Sequence, residues 1–226
     1  MNEERTEVFL NSLDRGSTPY LEELYEDAVK RKIPVIRRPT QTFLRFLLAL
    51  RRPEKILEIG TAIGFSALFM AEYCDTDVRI ITIEKSEKLI PEARQHFREA
   101  NMEDRITLLE GDAADILPEL RESCDLIFMD AAKGQYSAFL PDALRLLKTG
   151  GLLLSDNVLM DGVVMESRFA VVRRNRTIHE RMRSYLKEIK DHPLLVTDIL
   201  PVGDGIAVSV KVSKDPETFG TEPEAR

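Results

Sequence analysis

The sequence predicts an α/β fold in which a mostly parallel sheet is covered on both faces by helices. Three observations predict it. From Lys55 onward, apolar strand-like runs alternate with amphipathic helical stretches. The runs are continuously apolar, as strands buried on both faces require. The first of them leads through Lys55-Ile56-Leu57-Glu58-Ile59-Gly60-Thr61-Ala62-Ile63-Gly64-Phe65-Ser66, which reads as a strand, a tight glycine turn and a helix start. Glycines there let backbone approach a ligand closely, and the helix start offers free N–H groups. In an open α/β sheet such a crevice, at the carboxyl end of a strand, binds a nucleotide-like cofactor.

With 226 residues and 43% hydrophobic content, the chain can bury one good core. One main domain is expected over 54–212. A helical lead, 1–53, packs on it, and a polar tail, 213–226, carries Pro216 and Pro223 and is expected to be disordered. No apolar run approaches the roughly 20 residues that span a bilayer. Met1-Asn2-Glu3-Glu4 lacks the basic residues and apolar core of a signal peptide. No membrane partner and a cytoplasmic location are therefore expected. Cys74 and Cys124 have neither metal nor redox spacing and read as reduced packing residues.

The net charge of −7 argues against blanket attraction to nucleic acid, but the charge is uneven. Lys30 to Arg52 holds eight Lys/Arg and no acid, and Arg168 to Lys190 holds eight more against two Glu. Such patches can bind a polyanion locally or simply solvate helix faces.

In chain order, 1–29 reads as an acidic helical lead with Leu21, Leu24 and Tyr25 on one face. Pro34 and Pro39 bracket an extended link from Ile33 to Arg38. A helix from Thr40 shows Phe43, Phe46, Leu47 and Leu50 as its apolar face, and Pro53 closes it. Strand Lys55–Gly60 leads to helix Phe65–Tyr73, and strand Arg79–Glu84 to helix Glu87–Asn101. Strand Ile106–Glu110 precedes a short helix around Ala113–Leu120. Strand Leu126–Asp130 leads to helix Tyr136–Leu147, and strand Leu152–Ser155 follows Gly150-Gly151. A loop from Asn157 to about Val172 opens into a charged helix ending at Asp191. Strands Leu194–Leu200 and Ile206–Val212 are joined by Pro201-Val202-Gly203-Asp204-Gly205.

Acids at the strand ends carry the chemistry. Glu84 follows Gly60 by 24 residues, the spacing at which a carboxylate accepts both ribose hydroxyls of a dinucleotide or of S-adenosylmethionine. Asp112-Ala113, after the third strand, is placed to meet an adenine edge. Glu58 lies inside an apolar strand, where an unpaired carboxylate is costly, so backbone N–H groups or the cofactor turn should engage it.

A second constellation joins Asp130 at the end of the fourth strand to Asp156-Asn157 at the end of the fifth. Two carboxylates and an amide carbonyl at adjacent strand ends suit Mg²⁺, with Mn²⁺ or Ca²⁺ as alternatives. Lys133 stands three residues past Asp130. A nearby cation destabilises an ammonium, which makes Lys133 a candidate general base.

Residues 56–66, 128–136 (Phe-Met-Asp-Ala-Ala-Lys-Gly-Gln-Tyr) and 150–159 (Gly-Gly-Leu-Leu-Leu-Ser-Asp-Asn-Val-Leu) resemble the cation-dependent O-methyltransferases related to catechol and caffeoyl-CoA methyltransferases. The resemblance extends over about residues 35–212. It implies the class I methyltransferase (Rossmann-like) sheet, seven strands with the last antiparallel, and a homodimer. It implies that Asp130, Asp156 and Asn157 hold the metal and that Lys133 is the base. Glu84 and Asp112-Ala113 would bind ribose and adenine, and Ser66 and the Ile36 region would line the cofactor pocket. Glu58, Gly60 and Asp130 complete the expected cofactor set. Ala62 stands where many methyltransferases carry another glycine.

Within the family, Ile33–Ile36, Asn157–Gly162 and Arg173–His179 are most similar to the bacterial tRNA 5-hydroxyuridine methyltransferases. Methylating a catechol needs no cluster such as Arg168, Arg173, Arg174 and Arg176, whereas phosphates of RNA are positioned by guanidiniums. With no Trp and no aromatic RNA-binding signature, recognition would rest on phosphates and loop shape. His96, His179 and His192 lack metal-ligand spacing and read as surface residues, His179 being a candidate RNA contact.

The expected activity is S-adenosylmethionine- and Mg²⁺-dependent O-methylation of tRNA 5-hydroxyuridine, with a small catechol or phenylpropanoid as the alternative substrate. A nicotinamide-dependent dehydrogenase would share the glycine turn and Glu84 but not the Asp130/Asp156/Asn157 set. An RNA-binding protein without turnover would not need Lys133.

Overall fold

A computed structural model of the chain describes residues 3–213; apart from Ser213, the expected tail lies outside the described residues. The strands are β1 (Lys55–Ile59), β2 (Arg79–Glu84), β3 (Ile106–Glu110), β4 (Cys124–Met129), β5 (Leu147–Ser155), β6 (Leu195–Leu200) and β7 (Ile206–Lys211). They form a seven-stranded sheet in the order β3-β2-β1-β4-β5-β7-β6. The chain divides into two compact units, Met1–Ala113 and Ala114–Arg226, so the division falls inside the expected 54–212 domain. Among the described residues no helix is long and apolar enough to cross a membrane.

In the first unit β1, β2 and β3 are parallel, with Ile59 opposite Ile83 and Glu84 opposite Glu110. The strand ends are therefore level, which brings the turns that follow them together. The lead is two helices, α1 (Glu3–Leu13) and α2 (Pro19–Arg31). Gly16, at a left-handed φ of 74°, lies in the break between them. Next comes α3 (Arg38–Arg51), with Pro39 in its first turn. Its buried face is Thr40, Gln41, Leu44, Leu47 and Leu48, and the expected Phe46 and Leu50 are exposed. The true face follows the i, i+4, i+7, i+8 spacing, in which Thr40 and Gln41 hold core positions that a count of apolar residues passes over.

Beyond β1, α4 (Phe65–Glu72) buries every residue but its last, so it forms the middle of this unit's core. Rings of Tyr25, Phe65, Phe69 and Tyr73 run along it, with centroids 5.8, 6.2 and 4.6 Å apart. The guanidinium of Arg38 lies 4.1 Å from the Tyr25 ring centre, and that of Arg45 lies 4.5 Å from Tyr73. The first basic stretch is thus largely consumed by the fold. Arg31 pairs with Glu92, Arg38 with Glu22, Arg45 with Asp14 and Arg52 with Asp75. The remaining helix between strands here is α5 (Ile90–Glu99), which buries Ile90, Ala93 and Phe97.

In the second unit, after the short α6 (Ala113–Ile116), β4 and β5 are parallel, and β7 is antiparallel to both β5 and β6. β5 starts at Leu147, directly after α7 (Tyr136–Leu146), five residues earlier than its apolar run suggests. Its first residues have few apolar side chains, so hydropathy does not mark them. α8 (Arg176–Asp191) buries His179, Met182, Tyr185 and Ile189. The rings of Tyr136 and Tyr185 meet edge to face at 5.3 Å.

Candidate active site

The first unit builds the glycine turn. Gly60 leaves β1 with φ 102°, and its N–H donates to the Ile83 carbonyl at 3.0 Å. Ala62 then takes φ 47°, a left-handed conformation costing about 1–2 kcal/mol for a residue with a Cβ. Glu84 holds it there: Oε2 accepts the Ala62 N–H at 2.8 Å, while Oε1 accepts those of Lys85 and Ser86 at 3.0 and 2.8 Å. A carboxylate has about four acceptor positions, so this oriented group can still take a hydroxyl. The N-cap of α4 is Gly64, at φ 87°. A Cβ there would lie 2.5 Å from the Phe97 ring, so the turn and α5 are in direct contact at this point.

Glu58 is fully buried beneath the turn. A hydroxyl reaches it: Thr82 donates to its Oε2, and the Thr82 hydroxyl lies 2.5 Å from that of Thr61 in the turn. Thr61 and Thr82 went unassigned in the sequence, where a threonine in a strand signals only β propensity. Ser66 stands buried in the first turn of α4. The Gly111 N–H donates to the Glu84 carbonyl at 2.8 Å, which sets Asp112 and Ala113 beside the Glu84 strand end. Asp112 also receives Lys85 Nζ at 3.3 Å. Ile36 is buried in the extended link before α3, and its carbonyl accepts the Gln41 side-chain amide at 2.9 Å. Glu58, Gly60, Glu84 and Asp112 thus converge around one turn, a polar cradle that fits an adenosyl group.

The second unit builds the acid site. Asp130 follows β4, and Asn157, at φ 58°, donates its side-chain N–H to Asp130 Oδ1 at 2.9 Å. Asp156 is 1% exposed, with Oδ1 accepting the Asn157 N–H at 2.9 Å. Its backbone is pinned twice, by its N–H on the Met129 carbonyl at 3.0 Å and by the Tyr136 hydroxyl on its own carbonyl at 3.1 Å. Burial, and after it the charge of Asp130, pushes the Asp156 carboxyl up to about 7. Burial also raises Asp130, against the stabilising Asn157 hydrogen bond and Lys133 charge.

Two crowded carboxylates and an amide form a hard-oxygen donor set that fits a divalent cation. Among the described residues no group of three or more His, Cys, Asp or Glu converges in metal-binding geometry, so a site here rests on the amide as well as the acids. Lys133 Nζ donates to Asp204 Oδ2 at 3.4 Å. Asp204 is 6% exposed and accepts the Asp161 N–H with its other oxygen. It was missed because Gly203-Asp204-Gly205 reads as ordinary turn chemistry. A buried acid in a connector was the available signal only once burial was known.

The arginines divide. Arg168 pairs with Glu180 at 2.8 Å, and Arg176 Nε donates to the Val171 carbonyl at 3.0 Å. These two are used by the fold. Arg173 and Arg174 are exposed, in a short 3₁₀ turn ahead of α8, with no side-chain partner among the described residues. Two histidines correct the surface reading. His179 is 2% exposed, with Nε2 donating to the Glu166 carbonyl at 3.1 Å, and so is no RNA contact. His96 is half-buried, with Nδ1 on the Ile63 carbonyl at 2.8 Å.

Comparison with known proteins adds a family to this geometry. The family model described as O-methyltransferase matches residues 11–212. A catechol O-methyltransferase of Mycobacterium tuberculosis is 32% identical over 214 residues, 90% of this chain and 94% of that protein. A caffeoyl-CoA O-methyltransferase of Eucalyptus globulus is 31% identical over 177 residues, 76% and 72% of the two chains. Among solved structures, an S-adenosylhomocysteine-bound methyltransferase of Podospora anserina superposes with a TM-score of 0.84 at 29% identity, over 93% of this chain and 97% of that one.

Proposed function

The chain belongs to the O-methyltransferase family, and from that premise we propose that it uses S-adenosylmethionine and Mg²⁺ to methylate the 5-hydroxyl of 5-hydroxyuridine in the tRNA anticodon loop. The observation that carries the RNA substrate is the exposed pair Arg173 and Arg174, two guanidiniums that no acid of the described chain neutralises. Planar guanidiniums are suited to phosphate oxygens.

S-adenosylmethionine supplies the methyl group, and a divalent cation supplies a Lewis acid that lowers the pKa of a substrate hydroxyl. Glu84 holds a ribose hydroxyl on its remaining acceptor position, and Asp112 with the Ala113 N–H meets the adenine edge. Asp130 and Asp156 hold the cation together with the Asn157 side-chain oxygen, since the amide nitrogen of Asn157 is already given to Asp130. Lys133 Nζ takes the hydroxyl proton, and Asp204 beside it holds the resulting ammonium. The rest of the contribution is orientation of the two reactants. In 5-hydroxyuridine the 5-hydroxyl and 4-carbonyl form a chelating pair, as two catechol oxygens do.

A small catechol or phenylpropanoid is the second reading, favoured by the names of the relatives. Labelled S-adenosylmethionine offered with undermodified tRNA, and in parallel with catechol, separates the two. Label in tRNA is the expected result. Label in catechol alone would transfer the assignment to the second reading.

A related expectation concerns the arginine pair. Replacing Arg173 and Arg174 with Ala should lower the slope of log K against log salt for tRNA by about 1.4, from about 0.7 per single-strand phosphate. Titrations at several salt concentrations measure it. A double variant with unchanged tRNA affinity and slope would remove the basis for preferring RNA.

A further inference from the structure

We propose that His96 is a positioning residue that holds the glycine turn in its cofactor-binding shape. The inference rests on the reading that this turn binds the adenosyl group. His96 lies on α5, which contributes none of the residues expected to touch the cofactor. Its Nδ1 is 2.8 Å from the carbonyl oxygen of Ile63. A carbonyl only accepts, so Nδ1 carries the hydrogen, which fixes the tautomer. Ile63 is fully buried, and its carbonyl sits ahead of the α4 ladder, whose first bond runs from the Leu68 N–H to the Gly64 carbonyl at 3.0 Å. Without His96 this buried acceptor would lose its side-chain donor.

The neighbouring residue seals the same place from the apolar side. Phe97 is 2% exposed and occupies the space that a Cβ on Gly64 would need. The five-residue turn, Gly60 to Gly64, is thus held from two sides. Glu84 grips the Ala62 N–H, and α5 grips the Ile63 carbonyl and covers Gly64. α5 is itself anchored on both sides of His96. Arg31 of α2 makes a two-point contact with Glu92 at 2.5 and 2.9 Å, and Tyr20 of α2 donates to Glu99 at 3.1 Å. The imidazole is therefore presented from a fixed helix to a strained turn, in which Ala62 and Gly64 both have positive φ.

His96→Leu removes the donor while keeping bulk, and His96→Asn places an amide N–H where Nδ1 stood. The affinity for S-adenosylhomocysteine is read by calorimetry. In the unliganded protein, amide hydrogen exchange over residues 60–66 is read as well. Glu84→Ala serves as the reference for the turn itself. The Leu variant should bind S-adenosylhomocysteine about threefold to tenfold more weakly, the span of one lost hydrogen bond, and exchange faster over 60–66. The Asn variant should recover both to within about twofold of the original. If Glu84→Ala weakens binding and His96→Leu does not, His96 does not position the turn. If the Leu and Asn variants lose affinity equally, the donor is irrelevant and the proposal falls. If neither Glu84→Ala nor His96→Leu changes affinity, the turn is not the adenosyl site, and both readings fall together. Should the Leu variant fail to fold, an Asn variant that folds but lacks normal affinity and exchange overturns the proposal alone.

Discussion

Asp156→Ala is expected to lower cation-dependent methyl transfer by at least about 100-fold while leaving the fold intact. The reason lies in which atoms of Asp156 the fold uses. Its N–H bonds the Met129 carbonyl, and its carbonyl accepts the Tyr136 hydroxyl, and both bonds survive in alanine. Among the described residues the carboxylate accepts only the N–H of Asn157. A buried acid so weakly used by its own fold is available to a cation. Transfer assays with and without EDTA, alongside circular dichroism, measure the effect. Activity that survives both the substitution and excess EDTA would remove the metal mechanism.

Asp156→Asn supplies the second arm of the same test. In the cation-free protein, burial and Asp130 raise the Asp156 carboxyl from 3.8 to about 7. The folded state then binds the proton more tightly than the unfolded chain, so this group's contribution falls as pH rises from about 4 to about 7 and stays low above that. Asparagine cannot ionise and escapes the loss. The cation-free Asn variant should therefore melt higher than the parent at pH 8 and nearly level with it at pH 4, yet be poor in turnover. A carboxylate kept for stability would behave in the opposite way at pH 8.

The contrast between Asp156 and Asp204 shows what the sequence can reveal. Asp130 and Asp156 were legible because they follow the apolar runs Leu126–Met129 and Leu152–Leu154, the second with Ser155 between, and Asn157 comes next to Asp156; a parallel sheet aligns such ends. Asp204 carries the same charge and lies close to Lys133, but it reaches that position through a connector between β6 and β7. Nothing in local periodicity records such a long-range approach. His96 was missed for a similar reason. On α5 it occupies a position beside the apolar stripe of Ile90, Ala93 and Phe97, and helical spacing alone gives no indication that a carbonyl 33 residues earlier faces it. In α3 the error came from counting apolar residues. Gln41 can be buried because its amide meets the Ile36 carbonyl, and Thr40 is buried beside it, whereas Phe46 and Leu50 face outward. The strand order and the antiparallel β7 agree with the expected class I sheet, because strand–helix alternation leaves few other topologies.

Glu84→Ala should weaken S-adenosylhomocysteine binding by about 1–3 kcal/mol, the range for polar partners left unsatisfied. Two roles contribute, and they can be separated. One is direct, since a carboxylate at this strand end can accept ribose hydroxyls. The other runs through the turn, because Glu84 Oε2 accepts the N–H of Ala62, a residue held at φ 47°. Removing the carboxylate frees that N–H and lets the turn relax toward an ordinary conformation. Comparing S-adenosylhomocysteine with an analogue lacking the ribose hydroxyls distinguishes the two. A direct contact predicts that Glu84→Ala costs the analogue much less than the parent ligand, because the analogue has no hydroxyl to lose. A role through the turn alone predicts the same loss for both. Calorimetry on the two ligands and two proteins completes a thermodynamic cycle whose coupling term isolates the ribose contact. A coupling near zero with a large loss would leave Glu84 as a support of the turn. Unchanged affinity for both ligands would mean that the ribose is held elsewhere.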